Sequence, residues 1–441
     1  MVFFRPFWFA GVRFELALAL CSLLSLGYAG CGDDEEPTPD IPCDIRDAPC
    51  RRAIFRLTAQ VRAQKNAKLP PTRLITRQQF ADETRAQLGQ EMSSRSGQLL
   101  EESLRLVKFL PPDSSLDEAM ADSNIAGVAA YYDPNTAAVT IIDDAADNHA
   151  SGSLTLSHEY THSLQDQREG LGSLSRSIDT SDGQMALSAL VEGEATILSD
   201  VALRRAAGQP YLRADVLSYL DRLTSFLVGD IGDSDAPFNE AMLVLPYPVG
   251  GRPIAEAYVA RGIGGVQAFY TTRPMTLTSW VQFDRGPQLP VPLTCNAPDA
   301  PAGYERVGLD RLGFTGLIAL FVKLGLTGSA AYDAARSWTN DSYALFGAPG
   351  SELAAAIAWR IRVTDETTAS GIEAQLRAST LGLAVSRVGP ELVLSAATRP
   401  EVLSAWTTRD ACSTQKSRDE PRPLLPSLGR YPHLRRALLP H

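Results

Sequence analysis

The sequence predicts an α+β fold: mainly helical, with a small β-hairpin ahead of one motif-bearing helix and a small antiparallel α+β domain toward the C-terminus. Three observations support this. Apolar residues recur at three- and four-residue spacing through most of residues 51–271. Between residues 127 and 142 that period gives way to two short β-prone runs, divided by the turn signal Asp133-Pro134-Asn135-Thr136. Beyond a Pro- and Gly-rich stretch at 286–301, helix-length and strand-length segments alternate. At 441 residues, 44% hydrophobic and 21% charged, the chain is long enough for more than one core and is not wholesale disordered. A net charge of −10 argues against a nucleic-acid partner.

Residues 1–30 carry Arg5 and Arg13, an apolar stretch over 16–26, and then Gly27-Tyr28-Ala29-Gly30-Cys31. A positive start, a short apolar run and small residues before a break read as a secretory signal. The ending resembles a bacterial lipobox, with Tyr28 where an aliphatic residue is usual. That resemblance implies a lipoprotein signal peptide, acylation of Cys31 and a membrane partner reached through the lipid. Gly32, rather than an aspartate, at the next position points to the outer membrane of a bacterial envelope, on its periplasmic or surface face. Residues 31–65 then read as tether and linker, opening with Asp33, Asp34, Glu35, Glu36 and Pro37. Setting aside Cys21 and Cys31, four cysteines remain, and an even number in an exported chain suggests disulfides. Of three possible pairings, we expect Cys43–Cys50 as a local loop and Cys295–Cys412 as a long-range staple.

Taken in order, helices are expected at 78–88, 96–110 and 115–121, with Pro111-Pro112 as a break. Strands follow at 127–132 and 137–142, then helices at 154–167, 184–206 and 213–227. A loop containing Pro246-Tyr247-Pro248 leads to helices at 250–261 and 265–271. Residues 66–290 therefore read as a main domain. A second, at 291–407, has a helix at 309–324, strands at 342–346 and 353–363, a helix at 367–378 and a hairpin over 383–396. Residues 408–441 form a polar, Arg- and Pro-rich tail.

His158-Glu159-Tyr160-Thr161-His162 matches the H-E-x-x-H zinc pattern, and the chain has only five histidines. Residues four apart on a helix stand one above the other, so both imidazoles can reach one ion. With His158 at zero on the helical wheel, His162 lies at roughly 40°, while Leu156, Tyr160 and Leu164 fall near 160–240°. The helix thus has a ligand face and an opposite core face. Glu159, at about 100°, stands beside the ligand face, placed to hold a water as a general base. Ser151 and Ser153 are candidate caps for the helix start.

A third ligand must come from elsewhere. Gln165 and Arg168 stand where a metzincin needs Gly and His, and the remaining candidates are Glu169, Glu192, Glu194 and Asp200. Glu192 shares a stripe of small residues with Ser188, Ala189, Ala195, Thr196 and Ser199, which permits close approach of a second helix, so it is the expected ligand. Glu194 falls on the other side with Leu187, Leu190, Ile197 and Val201. It is expected to support the site from behind or to pair within the core. Asp166, four residues past His162, is the candidate to hold a ligand histidine. One Zn²⁺ per chain is the implied cofactor.

H-E-x-x-H with Glu192-Gly193-x-Ala195 downstream resembles the gluzincin superfamily of zinc metallopeptidases. The runs 156–167 and 189–195 are closer still to a group of largely uncharacterised prokaryotic exported or lipid-anchored metallopeptidases. The likeness extends to Tyr132-Asp133-Pro134, to Pro246-Tyr247-x-x-Gly250 and weakly to Trp338-x-x-Asp341, across roughly residues 68–398. It implies a zincin-like catalytic domain, His158, His162 and Glu192 as ligands, Glu159 as catalytic base, and hydrolysis of peptide or protein substrates. Where relatives carry a histidine shortly after the Arg273-Pro274 region, this chain has Val281-Gln282-Phe283. Tyr247 is the candidate donor to an oxyanion. The rival readings are a zinc-containing lipoprotein that serves binding or assembly without hydrolysis, and a zinc hydrolase acting on other bonds.

Overall fold

The computed structural model of the chain describes residues 40–406, apart from 287–288, 297 and 351–352. The signal segment, Cys31, Cys412 and the 408–441 tail lie outside the described residues. Among those described, no helix is long and apolar enough to cross a membrane. The fold is α+β, with sixteen helices and two small sheets among the described residues.

Helix α1 (Ala48–Val61) carries Pro49 in its first turn, where a missing N–H costs nothing. Strand β1 (Thr72–Ile75) was not expected from the sequence. It is four residues long and directly follows Pro70-Pro71, too short to show a period. Helix α2 (Arg77–Met92) starts at a Thr76/Gln79 capping box, and α3 (Arg95–Leu106) and α4 (Leu116–Gly127) follow. Strands β2 (Ala130–Asp133) and β3 (Ala138–Ile142) form the expected antiparallel hairpin, and β1 adds to β3 in parallel. The order β1-β3-β2 leaves β2 at an edge.

Helix α5 (His149–Glu169) follows almost at once. Its cap is Asn148, whose side chain accepts from Ser151 N at 3.0 Å, and not a serine as expected. Ser153 Oγ instead accepts from Cys43 N at 3.2 Å. Gly170 ends the helix with φ of 68°, a left-handed conformation that suits glycine. Helices α6 (Leu171–Arg176), α7 (Ser181–Ala206) and α8 (Arg213–Asp233) come next, then α9 (Pro237–Val244), which the sequence reading left unassigned. Pro246-Tyr247-Pro248 is not a loop. It is the first turn of α10 (Pro246–Arg261), where proline costs no intrahelical bond. Helices α11 (Ile263–Thr271) and α12 (Leu277–Val281) complete this part, and Gln282 Nε2 closes α12 by donating to Arg336 O at 2.6 Å.

The predicted helix at 309–324 divides into strand β4 (Glu305–Asp310) and helix α13 (Gly313–Lys323). Then come α14 (Gly328–Ala335), β5 (Trp338–Gly347), β6 (Ala355–Val363), α15 (Glu366–Ala378), β7 (Ala384–Val388), β8 (Glu391–Ala397) and α16 (Pro400–Ala405). The five strands pair antiparallel in the order β4-β5-β6-β8-β7. Asp341 staples this sheet to α13. Its Oδ1 accepts from Gly313 N and Trp338 Nε1, both at 3.0 Å, and its Oδ2 from Leu312 N at 3.0 Å and Trp359 Nε1 at 2.8 Å. The Trp338-x-x-Asp341 spacing is thus an architectural clasp.

One continuous apolar core runs from α3 and α4 through α7, α8, α10 and α13 to the inner sheet residues Tyr343, Ile357 and Trp359. The Pro- and Gly-rich stretch near 286–301 separates elements but not cores. A second cluster lies under α5, where Leu156, Tyr160 and Leu164 meet Ile54, Phe55, Tyr132, Val139 and Ile141. That is the core face the helical wheel assigns. Cys43 and Cys50 are joined by a disulfide at the start of this layer. Cys295 is buried and disulfide-bonded.

Candidate metal centre

The ligand face of α5 is inside the protein: His158 and Glu159 are 0% exposed and His162 is 1% exposed. The two imidazoles stand edge to face, with ring centroids 4.6 Å apart. Helix α7 packs across them and brings Glu192 Oε2 to 3.1 Å from His158 Nε2 and 3.4 Å from His162 Nε2. A tetrahedral zinc with bonds near 2.0–2.1 Å requires its ligand atoms to be about 3.3 Å apart, so this spacing fits that ion. The buried His162 Nε2 has no hydrogen-bond partner among the described residues, which also suits an atom that holds a metal.

Candidate atoms of His158, Glu159 and His162 also lie within 4.8 Å of one another. Glu159 is the poorer third ligand, because its Oε2 is engaged by the backbone N–H of Tyr132 at 2.8 Å. Its Oε1 is buried with no hydrogen-bond partner among the described residues. Of the other carboxylates weighed from sequence, Glu169 pairs with Arg168 and Asp200 with Arg204.

Behind His162 the structure corrects the sequence. Asp166 does not hold a histidine: its Oδ2 accepts from Tyr132 OH and its Oδ1 from Leu171 N, both at 2.8 Å. Gln165 does. Its Oε1 lies 2.8 Å from His162 Nδ1, and its Nε2 donates to Val191 O and Glu194 Oε2, both at 2.9 Å. Those two acceptors fix the amide's orientation, so Nδ1 carries a proton and Nε2 is the ring nitrogen turned toward Glu192. Glu194 is 0% exposed and also accepts from Arg62 Nε at 2.9 Å and Tyr270 OH at 2.5 Å. Two glutamates on opposite sides of α7 therefore serve one histidine, Glu192 directly and Glu194 through Gln165.

Charge follows from this burial. Burial opposes a charged His158 and holds it down at about 4. Burial opposes charge on His162 as well, but the Glu192 carboxylate, Glu159 and Gln165 carry it up to about 9. Burial would raise Glu192, yet the two histidines hold it well below the usual carboxylate range. Burial pushes Glu159 up to about 8.

Tyr247 reaches the site because α10 crosses α7 at backbone contact. A Cβ on Gly250 would stand 1.6 Å from Ala189 O, and one on Gly193 would stand 2.4 Å from the Gly250 carbonyl carbon. The close approach therefore runs through Ala189 and Gly193, only partly along the stripe read from sequence. One turn from Gly250, the Tyr247 ring centroid is 6.1 Å from that of His158.

Sequence reasoning missed Gln165, Arg62, Tyr270 and the Tyr132 N–H. Gln165 had a local signal, since it lies one turn beyond His162. Arg62 and Tyr270 are 132 and 76 residues from Glu194 in the chain and had none. Compared with protein-family models, with curated proteins and with solved structures, the chain matches none of them.

Proposed function

We propose that this chain is a zinc-dependent metallopeptidase of the gluzincin type, exported and anchored to the bacterial envelope by a lipid on Cys31. The observation that carries the reading is Glu192 Oε2 set between the two imidazole Nε2 atoms, with the bare Oε1 of Glu159 beside them. His158, His162 and Glu192 would hold the metal. Bound zinc supplies a water of lowered pKa and polarises the scissile carbonyl.

The chain's own residues do the rest. Glu159 Oε1 accepts the water's proton and returns it to the leaving amine, while the Tyr132 N–H holds Oε2 in place. Tyr247 is the candidate to steady the developing oxyanion. The β2 edge lies beside Glu159 and offers an extended peptide a strand to pair with.

Incubating zinc-loaded protein with a peptide library, with cleavage read by mass spectrometry, tests this. Cleavage that Glu159→Gln abolishes supports a peptidase. Intact peptides from a protein that holds zinc would favour the assembly reading instead.

A further inference from the structure

We propose that Arg62, at the end of α1, is a positioning residue of this metal centre, so that docking of the N-terminal helix is coupled to the hold on His162. The inference rests on the metal reading above. Arg62 is 0% exposed and donates from Nε to Glu194 Oε1 at 2.9 Å. Its Nη1 donates to Leu164 O at 2.8 Å and to Gln64 Oε1 at 2.6 Å. One guanidinium thus grips both α5 and α7, the two helices that carry the metal-binding side chains. From Glu194 the chain of bonds passes through Gln165 Nε2 to its Oε1 and on to His162 Nδ1.

Each link sets the next. Gln165 presents oxygen to the ring because its nitrogen faces Glu194 and Val191 O. Glu194 remains a buried acceptor because Arg62 neutralises it. Without Arg62 that carboxylate is a buried charge without its cation; its surroundings must shift or admit water, and Gln165 loses the acceptor that orders its amide.

The rest of α1 and the segment before it back the same helix. Thr58 Oγ1 meets Ser157 Oγ at 2.9 Å, Phe55 packs edge to face on Tyr160 at 5.3 Å, and Cys43 N reaches Ser153 Oγ. Ser153, Ser157, Tyr160 and Leu164 lie on one face of α5, away from the ligands. The segment that would follow the membrane tether therefore supports the histidine helix along its length. Coupling is reciprocal: whatever α1 docking adds to metal affinity, the metal adds to α1 docking.

Zinc competition against a chelator on the full chain, joined with hydrogen exchange on α1, tests the proposal. Arg62→Met is expected to weaken zinc by about 10- to 100-fold. Adding Glu194→Gln should restore most of that, because the new amide oxygen can accept from Gln165 and Tyr270 without carrying a charge. Gln165→Met should weaken zinc to a similar degree. Zinc should slow exchange across α1 in the wild type and not in Gln165→Met, a difference that a merely structural arginine would not produce. Wild-type zinc affinity in a folded Arg62→Met, or α1 exchange indifferent to zinc in the wild type, would overturn the coupling. If Arg62→Met does not fold, Gln165→Met and the exchange measurement decide. A wild type that binds no zinc removes the metal reading itself, and the proposal with it.

Discussion

Two buried carboxylates, Glu159 on α5 and Asp341 on β5, live under opposite rules. Asp341 is 2% exposed and each of its oxygens accepts two N–H groups, from two indoles and the first turn of α13. Glu159 is fully buried, yet one oxygen accepts a single backbone N–H and the other accepts nothing among the described residues. His162 Nε2 likewise has no hydrogen-bond partner among the described residues, although Glu192 Oε2 stands 3.4 Å away. A buried polar group without partners costs about 1–3 kcal/mol, so such atoms call for a water or a ligand to satisfy them. Satisfied burial at Asp341 builds the fold. Unsatisfied burial at Glu159 leaves an oxygen open to a ligand.

The largest expected effect breaks the second region without touching the first. Glu159→Gln should lower peptide hydrolysis by roughly 10²–10⁴-fold while zinc content and thermal stability hold. The amide keeps an acceptor for Tyr132 N. Loss of zinc in that variant would make Glu159 a ligand.

Asp341→Ala reverses the pattern. Two indole N–H groups and two helix N–H groups lose their acceptor, and urea unfolding should show a loss of about 3–5 kcal/mol with zinc affinity intact. A loss under about 1 kcal/mol would mean that the clasp contributes little. Between these extremes lies the Cys43–Cys50 bridge, which closes a short loop in front of α1. Cys50→Ser should cost about 2–3 kcal/mol by the chain-entropy account, read from the same unfolding curves.

The pH profile tests the centre in another way, and its sign follows from the centre alone. In the metal-free chain His162 is raised to about 9, so its pairing with Glu192 stabilises in full below the ordinary histidine value of 6.5 and is lost as pH rises through 9. Glu159, raised by burial to about 8, keeps a proton that the unfolded chain has released, which adds a loss in the same direction. His158 and Glu192 are both lowered, so their contributions change only toward acid. Metal-free protein should therefore lose stability between about pH 6.5 and 9. Zinc displaces these protons and should bind more tightly over that range. Melting curves with and without zinc should diverge as pH rises; convergence would contradict the assignment.

How far this was legible in the sequence depends on the distance over which each signal acts. The hairpin, α5, α7, α8 and the C-terminal hairpin were readable because period, turn residues and caps are local. So was the His158-Glu159-His162 face, a consequence of helix geometry. β1 and β4 were missed because a strand of four to six residues shows no period by itself and exists through its partner. Pro246 and Pro248 misled because a proline at a first turn looks like a breaker. Asp166 is the candidate from its four-residue spacing to His162, a spacing that says nothing of what the side chain must join. The structure chose the amide because only a group with both donor and acceptor can join His162 to Glu194. Arg62 was out of reach, since its meaning depends on two helices more than a hundred residues away.

The central claim is that His158, His162 and Glu192 form one zinc site, and metal analysis after dialysis with a competing chelator tests it most directly. Wild type and Asp341→Ala should each retain about one zinc per chain, because three ligands define one site. Glu192→Gln should lose it, with the weakening in orders of magnitude, while Glu194→Gln should weaken zinc only about ten- to hundred-fold, because it leaves the buried Arg62 cation without its carboxylate. Full zinc in Glu192→Gln, or a stripped site in Glu194→Gln beside a loaded Glu192→Gln, would contradict the account.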